Sequence, residues 1–82
     1  MKIIMDAVKM IAKFDTHGNP TPARFQHKER IIDVQQIIST REEKLAGNRM
    51  KIYSCQSEIA GKIRRYELKF ELKTCKWFLY KM

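Results

Sequence analysis

Apolar and polar side chains alternate along most of this chain, most regularly from Tyr66 to Leu72. There Tyr66, Leu68, Phe70 and Leu72 share one side, and Arg65, Glu67, Lys69, Glu71 and Lys73 share the other. A period of two marks a half-buried β-strand. After a break at Lys73–Lys76, Trp77–Met82 forms a second strand, in which Trp77 and Leu79 oppose Phe78, Tyr80 and Met82. The stretch from Arg64 to Met82 holds the only tryptophan, two of the three tyrosines and two of the four phenylalanines. This strand pair is therefore expected to supply much of the core. The mixed-sign row from Arg65 to Lys73 reads as a solvated face that discourages edge-to-edge pairing.

The rest of the chain carries the same signal with interruptions. In residues 3–14, Val8, Met10, Ala12 and Phe14 fall on one face and Lys9 and Lys13 on the other, which predicts a strand. A short helix over residues 5–13 is the rival, because Ala, Met and Lys are helix formers. The loop chemistry of Gly18-Asn19-Pro20 favours the strand. Pro22–Lys28 is a short strand anchored by Phe25, with a tight turn expected at Glu29-Arg30. Ile31–Thr40, rich in β-branched residues, reads as the longest strand, with a bulge near Gln35-Gln36 to restore its inward set. The charged segment Arg41–Asn48 reads as a solvated connection with room for one helical turn. Arg49–Gln56 is a strand with apolar groups on both faces, Met50 and Ile52 against Tyr53 and Cys55, and Ser57–Lys62 is a turn around Gly61.

Five or six strands joined by short links predict an all-β domain. Consecutive strands with short turns pair as an antiparallel meander. In a chain of 82 residues such a sheet must curl to make a core, so the expected fold is a single small barrel, SH3-like or related, with little or no helix. A domain this small buries a modest fraction of its surface, and dimerisation would bury more.

Charge changes the picture more than composition does. There are 17 Lys and Arg against 9 Asp and Glu, a net charge of +8. A field of that strength attracts polyanions, although it also serves solubility. The start, MKIIMDAVKM, has its apolar patch interrupted by Asp6 and Lys9, so no signal peptide is read there and a cytoplasmic location is expected. Cys55 and Cys75 are expected to be small, partly buried free thiols, and no spacing of Cys and His suggests a metal.

One resemblance spans roughly residues 16–81. Gly18, Pro20 and Pro22 lead into Ala23-Arg24-Phe25. Val34-Gln35-Gln36-Ile37-Ile38, Tyr66-Glu67-Leu68-Lys69 and Trp77-Phe78-Leu79-Tyr80-Lys81 follow. In this order the motifs resemble a family of small uncharacterised bacterial domains, some of which sit beside or within DNA-repair polymerase proteins. The resemblance implies a nucleic-acid setting and no catalytic residue. The chain departs from the family in having His27 and Thr40-Arg41 where tryptophans are usual.

No catalytic constellation is legible. The three glycines lie far apart, so there is no phosphate-cradling loop. The pairs Glu42-Glu43 and Glu67/Glu71 lie beside Lys or Arg and read as surface ion pairs. No enzymatic activity, cofactor or metal is expected. The leading reading is a small binding or accessory module for nucleic acid. Tyr53, Phe78 and Tyr80 would be the stacking surface. Arg24, Lys28, Arg30, Lys51, Arg64, Arg65, Lys76 and Lys81 would be the phosphate contacts. The alternative is a protein-interaction or structural module, a homodimer or a domain docked on a larger partner, that covers the two-faced strands. The position of the charge discriminates between them.

Overall fold

In the computed structural model, which describes residues 1–82, the alternating segments all form strands. They are β1 (Ile3–Phe14), β2 (Pro20–His27), β3 (Arg30–Asp33), β4 (Gln36–Leu45), β5 (Asn48–Ile59), β6 (Lys62–Glu71) and β7 (Lys76–Lys81). All pairings are antiparallel, in one sheet of order β3-β2-β1-β7-β6-β5-β4. The helix rival for residues 5–13 is excluded. β1 is a strand paired on both sides, with β2 and with β7.

The order explains the shape. β3 and β4 are consecutive in sequence, yet they lie at the two edges of the sheet. A flat seven-stranded sheet would hold its edges roughly 29 Å apart. The two linking residues, Val34 and Gln35, let the chain advance only about 10 Å. The sheet therefore curls until its edges approach, as a half-barrel. Ser57 pins the seam from β5. Its hydroxyl donates to the Asp33 carbonyl at 2.7 Å and accepts from the Gln35 N–H at 3.2 Å. With that proton committed, the Tyr66 hydroxyl donates to Ser57 at 2.5 Å. Near the other end the Tyr53 hydroxyl crosses the interior to donate to the Pro20 carbonyl at 2.6 Å.

The interior is aromatic, as expected from the 64–82 stretch. Phe25 packs on Tyr66, Tyr53 on Trp77, and Trp77 on Phe70, with ring centroids 4.8–5.5 Å apart. Leu68 and Leu79 are fully buried between them. Burial pushes Tyr53, Cys55 and Tyr66 up to about 12. Of the two cysteines, Cys55 lies in this core and Cys75 is exposed in the β6–β7 turn; both are free thiols.

Several sequence expectations are corrected. The strands number seven. Residues 31–40 are not one long bulged strand, because the chain leaves the sheet at Val34-Gln35 and re-enters it at the far edge. A bulge does occur in this region, at Ile38 within β4. Residues 41–45 are not a connection. They complete β4, whose Arg41, Glu42 and Glu43 are held by partners on β5 and β6. The β2–β3 turn is Lys28-Glu29, with Lys28 at φ +55, one residue earlier than expected. Ala46-Gly47 and Ala60-Gly61 have positive φ at both positions, the pattern of the two-residue hairpin turn whose twist matches that of the strands.

The outer face of β6 differs most from expectation. Glu67 and Lys69 are buried. The Arg41 guanidinium lies 3.2 Å from Glu67, which also accepts from Ser54. The Lys69 ammonium lies 3.1 Å from Glu43 and 3.8 Å above the Tyr80 ring. Ile52 sits between Arg41 and Lys69, and Met50 between Glu43 and Glu71. The stems of those long side chains cover them, so Ile52 is 1% exposed and Met50 8%. The second apolar face of β5 is thus covered within the chain itself.

Candidate functional site

Strand direction decides where the free charge gathers. The β2–β3 turn, the β5–β6 turn and the start of β1 lie at one end of the half-barrel. The β1–β2, β4–β5 and β6–β7 connections lie at the other. At the first end a groove of about 510 Å³ is lined by His27, Lys28, Glu29, Arg30, Ile32, Arg64 and Met82. Lys28 projects from a tight turn, Arg30 begins edge strand β3, and Arg64 comes from the hairpin that curls over the seam. All three are exposed, and none is in an ion pair. Glu29 is the one acidic side chain lining the groove. The His27 ring is held by Asp6, with Nε2 2.8 Å from the carboxylate.

The structure brings together three of the sequence candidates and disperses the rest. Tyr53 is 4% exposed, with its hydroxyl engaged inside, so it offers no ring face to a base. Phe78 and Tyr80 are half-buried on the outer face of β7. The Tyr80 ring is occupied by ammonium groups, Lys69 at 3.8 Å and Lys81 at 4.8 Å. Arg24 is tied to Asp33 at 2.5 Å, and Arg65 donates to Gln56. Lys51 donates to Asn19 and Lys76 pairs across from Glu71, both at the opposite end. Of the expected stacking aromatics, Tyr53 is thus withdrawn into the core, and Phe78 and Tyr80 lie on the outer face of β7, outside the groove. What is assembled is a cationic groove without an aromatic floor.

Sequence reasoning missed the role of the turn geometry. Lys28, Arg30 and Arg64 are far apart in the chain, and only the curl of the hairpin over β3 makes them neighbours. The available signal was the pair of strand-ending turns, each followed closely by an arginine. No three His, Cys, Asp or Glu side chains lie close enough to share a metal ion.

No family model, curated protein or solved structure matches this chain. Its chemistry rests on its own geometry.

Proposed function

We propose that the chain is a small non-catalytic module that binds nucleic acid by its phosphate backbone, through the groove at the β2–β3 and β5–β6 end. The observation that carries the reading is the convergence of Lys28, Arg30 and Arg64, unpaired, on one concave surface. Phosphate contacts of this kind give affinity and salt dependence with little sequence preference. Without a free ring face in the groove, stacking on single-stranded bases contributes little.

The test is anisotropy of labelled single-stranded and duplex oligonucleotides across a salt series. Three phosphate contacts predict a slope of log affinity on log salt of about −2 to −3. The triple variant Lys28→Glu, Arg30→Glu, Arg64→Glu should lose binding. A control with the same charge change at the opposite end, Lys44→Glu, Lys73→Glu, Lys76→Glu, should keep most of it. Equal loss in both variants would reduce the effect to net charge and overturn the proposal, as would absence of binding at low salt.

A further inference from the structure

The outer face of β1, β2 and β3 carries exposed apolar side chains beside unpaired cations. Along β1 the outward residues are Ile3, Met5, Ala7, Lys9, Ile11 and Lys13, and all are exposed. Ile11 is 62% exposed and Ile31, on β3, 65%. The pairings set Ile11 in a row with Arg24 and Asp33, and Lys9 in the next row with Gln26 and Ile31. A groove of about 330 Å³ runs between the two isoleucines, with Lys9, Arg24 and Gln26 among its lining. β1 lies between β2 and β7 in the sheet, so Ile11 is not on an edge strand, whereas Ile31 is on edge strand β3. Nothing covers them as Arg41 and Lys69 cover Ile52 on the other half.

The charge around this face is predominantly positive, Lys9, Lys13 and Arg24 against Asp33. Lys9 and Lys13 are in no ion pair, and Arg24 has only Asp33, itself exposed. A second copy of the chain would bring two net-positive faces together, which is unfavourable. A bilayer would have to dehydrate the Gln26 amide and the Arg24–Asp33 pair between the isoleucines, and no tryptophan or tyrosine is present on this face to anchor it. A protein segment with apolar side chains for Ile11 and Ile31 and carboxylates for Lys9, Lys13 and Arg24 satisfies both features.

We infer that the outer face of β1–β3 is a docking site for an acidic protein segment with interspersed apolar residues, distinct from the cationic groove at the strand ends. Two isoleucines give it apolar anchors, and the lysines fix the sign of the partner. Because the two surfaces use different residues, a partner protein and a nucleic acid can be held at once.

The test uses the full chain and a synthetic decapeptide of alternating Glu and Leu, with a Lys-Leu peptide and a Glu-Ser peptide as comparators. Backbone amide shifts in nitrogen–proton correlation spectra report the site. The Glu-Leu peptide is expected to shift residues 9–11, 24–26 and 31, and both comparators to bind at least tenfold more weakly. The double variant Ile11→Ser, Ile31→Ser should lose at least tenfold. Both residues are exposed, so the fold should be retained, as checked by dispersion of the same spectra. Lys9→Glu with Lys13→Glu should also weaken binding, whereas the Lys28→Glu, Arg30→Glu, Arg64→Glu variant should not. Peptide binding lost only in that last variant would overturn the inference, as would unchanged binding in the isoleucine variant. So would binding to anionic phosphatidylserine vesicles, or a concentration-dependent dimer in sedimentation, that the isoleucine variant abolishes.

Discussion

The two halves of the sheet's outer surface use similar residues to opposite ends. On β4–β7, apolar Met50 and Ile52 lie beneath a cross-strand lattice of Arg41, Glu43, Glu67 and Lys69. On β1–β3, apolar Ile11 and Ile31 stand beside Lys9 and Arg24 and remain open. The difference lies in the acids. Where both signs alternate across neighbouring strands, long side chains lean over the apolar residues to meet each other. Where cations predominate and Asp33 is taken by Arg24, no such lattice covers Ile11 and Ile31. The first arrangement stabilises the fold, and the second leaves a surface for something else.

Truncations should separate the halves most widely. Ile52→Ala should cost about 2–4 kcal/mol, as in a core, because Ile52 is buried although it points outward. Ile11→Ala and Ile31→Ala should stay within about 0.5 kcal/mol. Urea midpoints followed by Trp77 emission would measure this, since Trp77 is buried and reports folding. Comparable costs on both sides would break the comparison.

Removing one member of the lattice comes next. Lys69→Ala strips Glu43 of its partner and uncovers Ile52 and Tyr80, and should cost about 1–3 kcal/mol. Lys9→Ala, on the open half, should cost nothing measurable by the same unfolding experiment. At the seam, Ser57→Ala leaves the Asp33 carbonyl and the Tyr66 hydroxyl without their partner, again about 1–3 kcal/mol.

The lattice should also show in acid. Burial works against the Glu67 carboxylate, but its bonds to Arg41 and Ser54 outweigh this and hold it below its ordinary value of 4.5. Its contribution is therefore present above the unfolded value, and is lost as pH falls below 4.5 and through the folded value. Glu67→Gln should flatten that part of the stability–pH curve. In alkali the sign reverses for the core tyrosines. The unfolded chain gives up its protons from about 10 while the folded chain holds them to about 12, so stability falls across that window. Tyrosinate absorbance followed alongside circular dichroism would show titration and unfolding together.

Much of the fold was legible because β-strand periodicity is local. The alternation from Tyr66 to Glu71, the anchor Phe25 and the two-faced strand at 50–56 all took their expected conformation, while Leu72 falls in the turn. The strand at 41–45 was not legible, because REEKL has no β-branched residue. It is extended because β5 pairs with it and because Arg41, Glu42 and Glu43 meet partners on β5 and β6, which are long-range facts. The division of 31–40 was hidden for a similar reason. Propensity is continuous across Val34-Gln35, and only closure of the seam on Ser57 separates the strands. Of the candidate site, the residue types were legible and their grouping was not. Tyr53 alternates correctly for a strand, but which face is inward depends on the curl of the whole sheet.

The most direct test of the functional account is an amide-shift map with a short single-stranded oligonucleotide at low salt. Perturbations confined to residues 27–32, 62–65 and 82, with residues 9–11 and 78–80 unmoved, are the predicted result. Perturbations centred on Phe78 and Tyr80, or spread evenly over the lysines and arginines of both ends, would contradict the account.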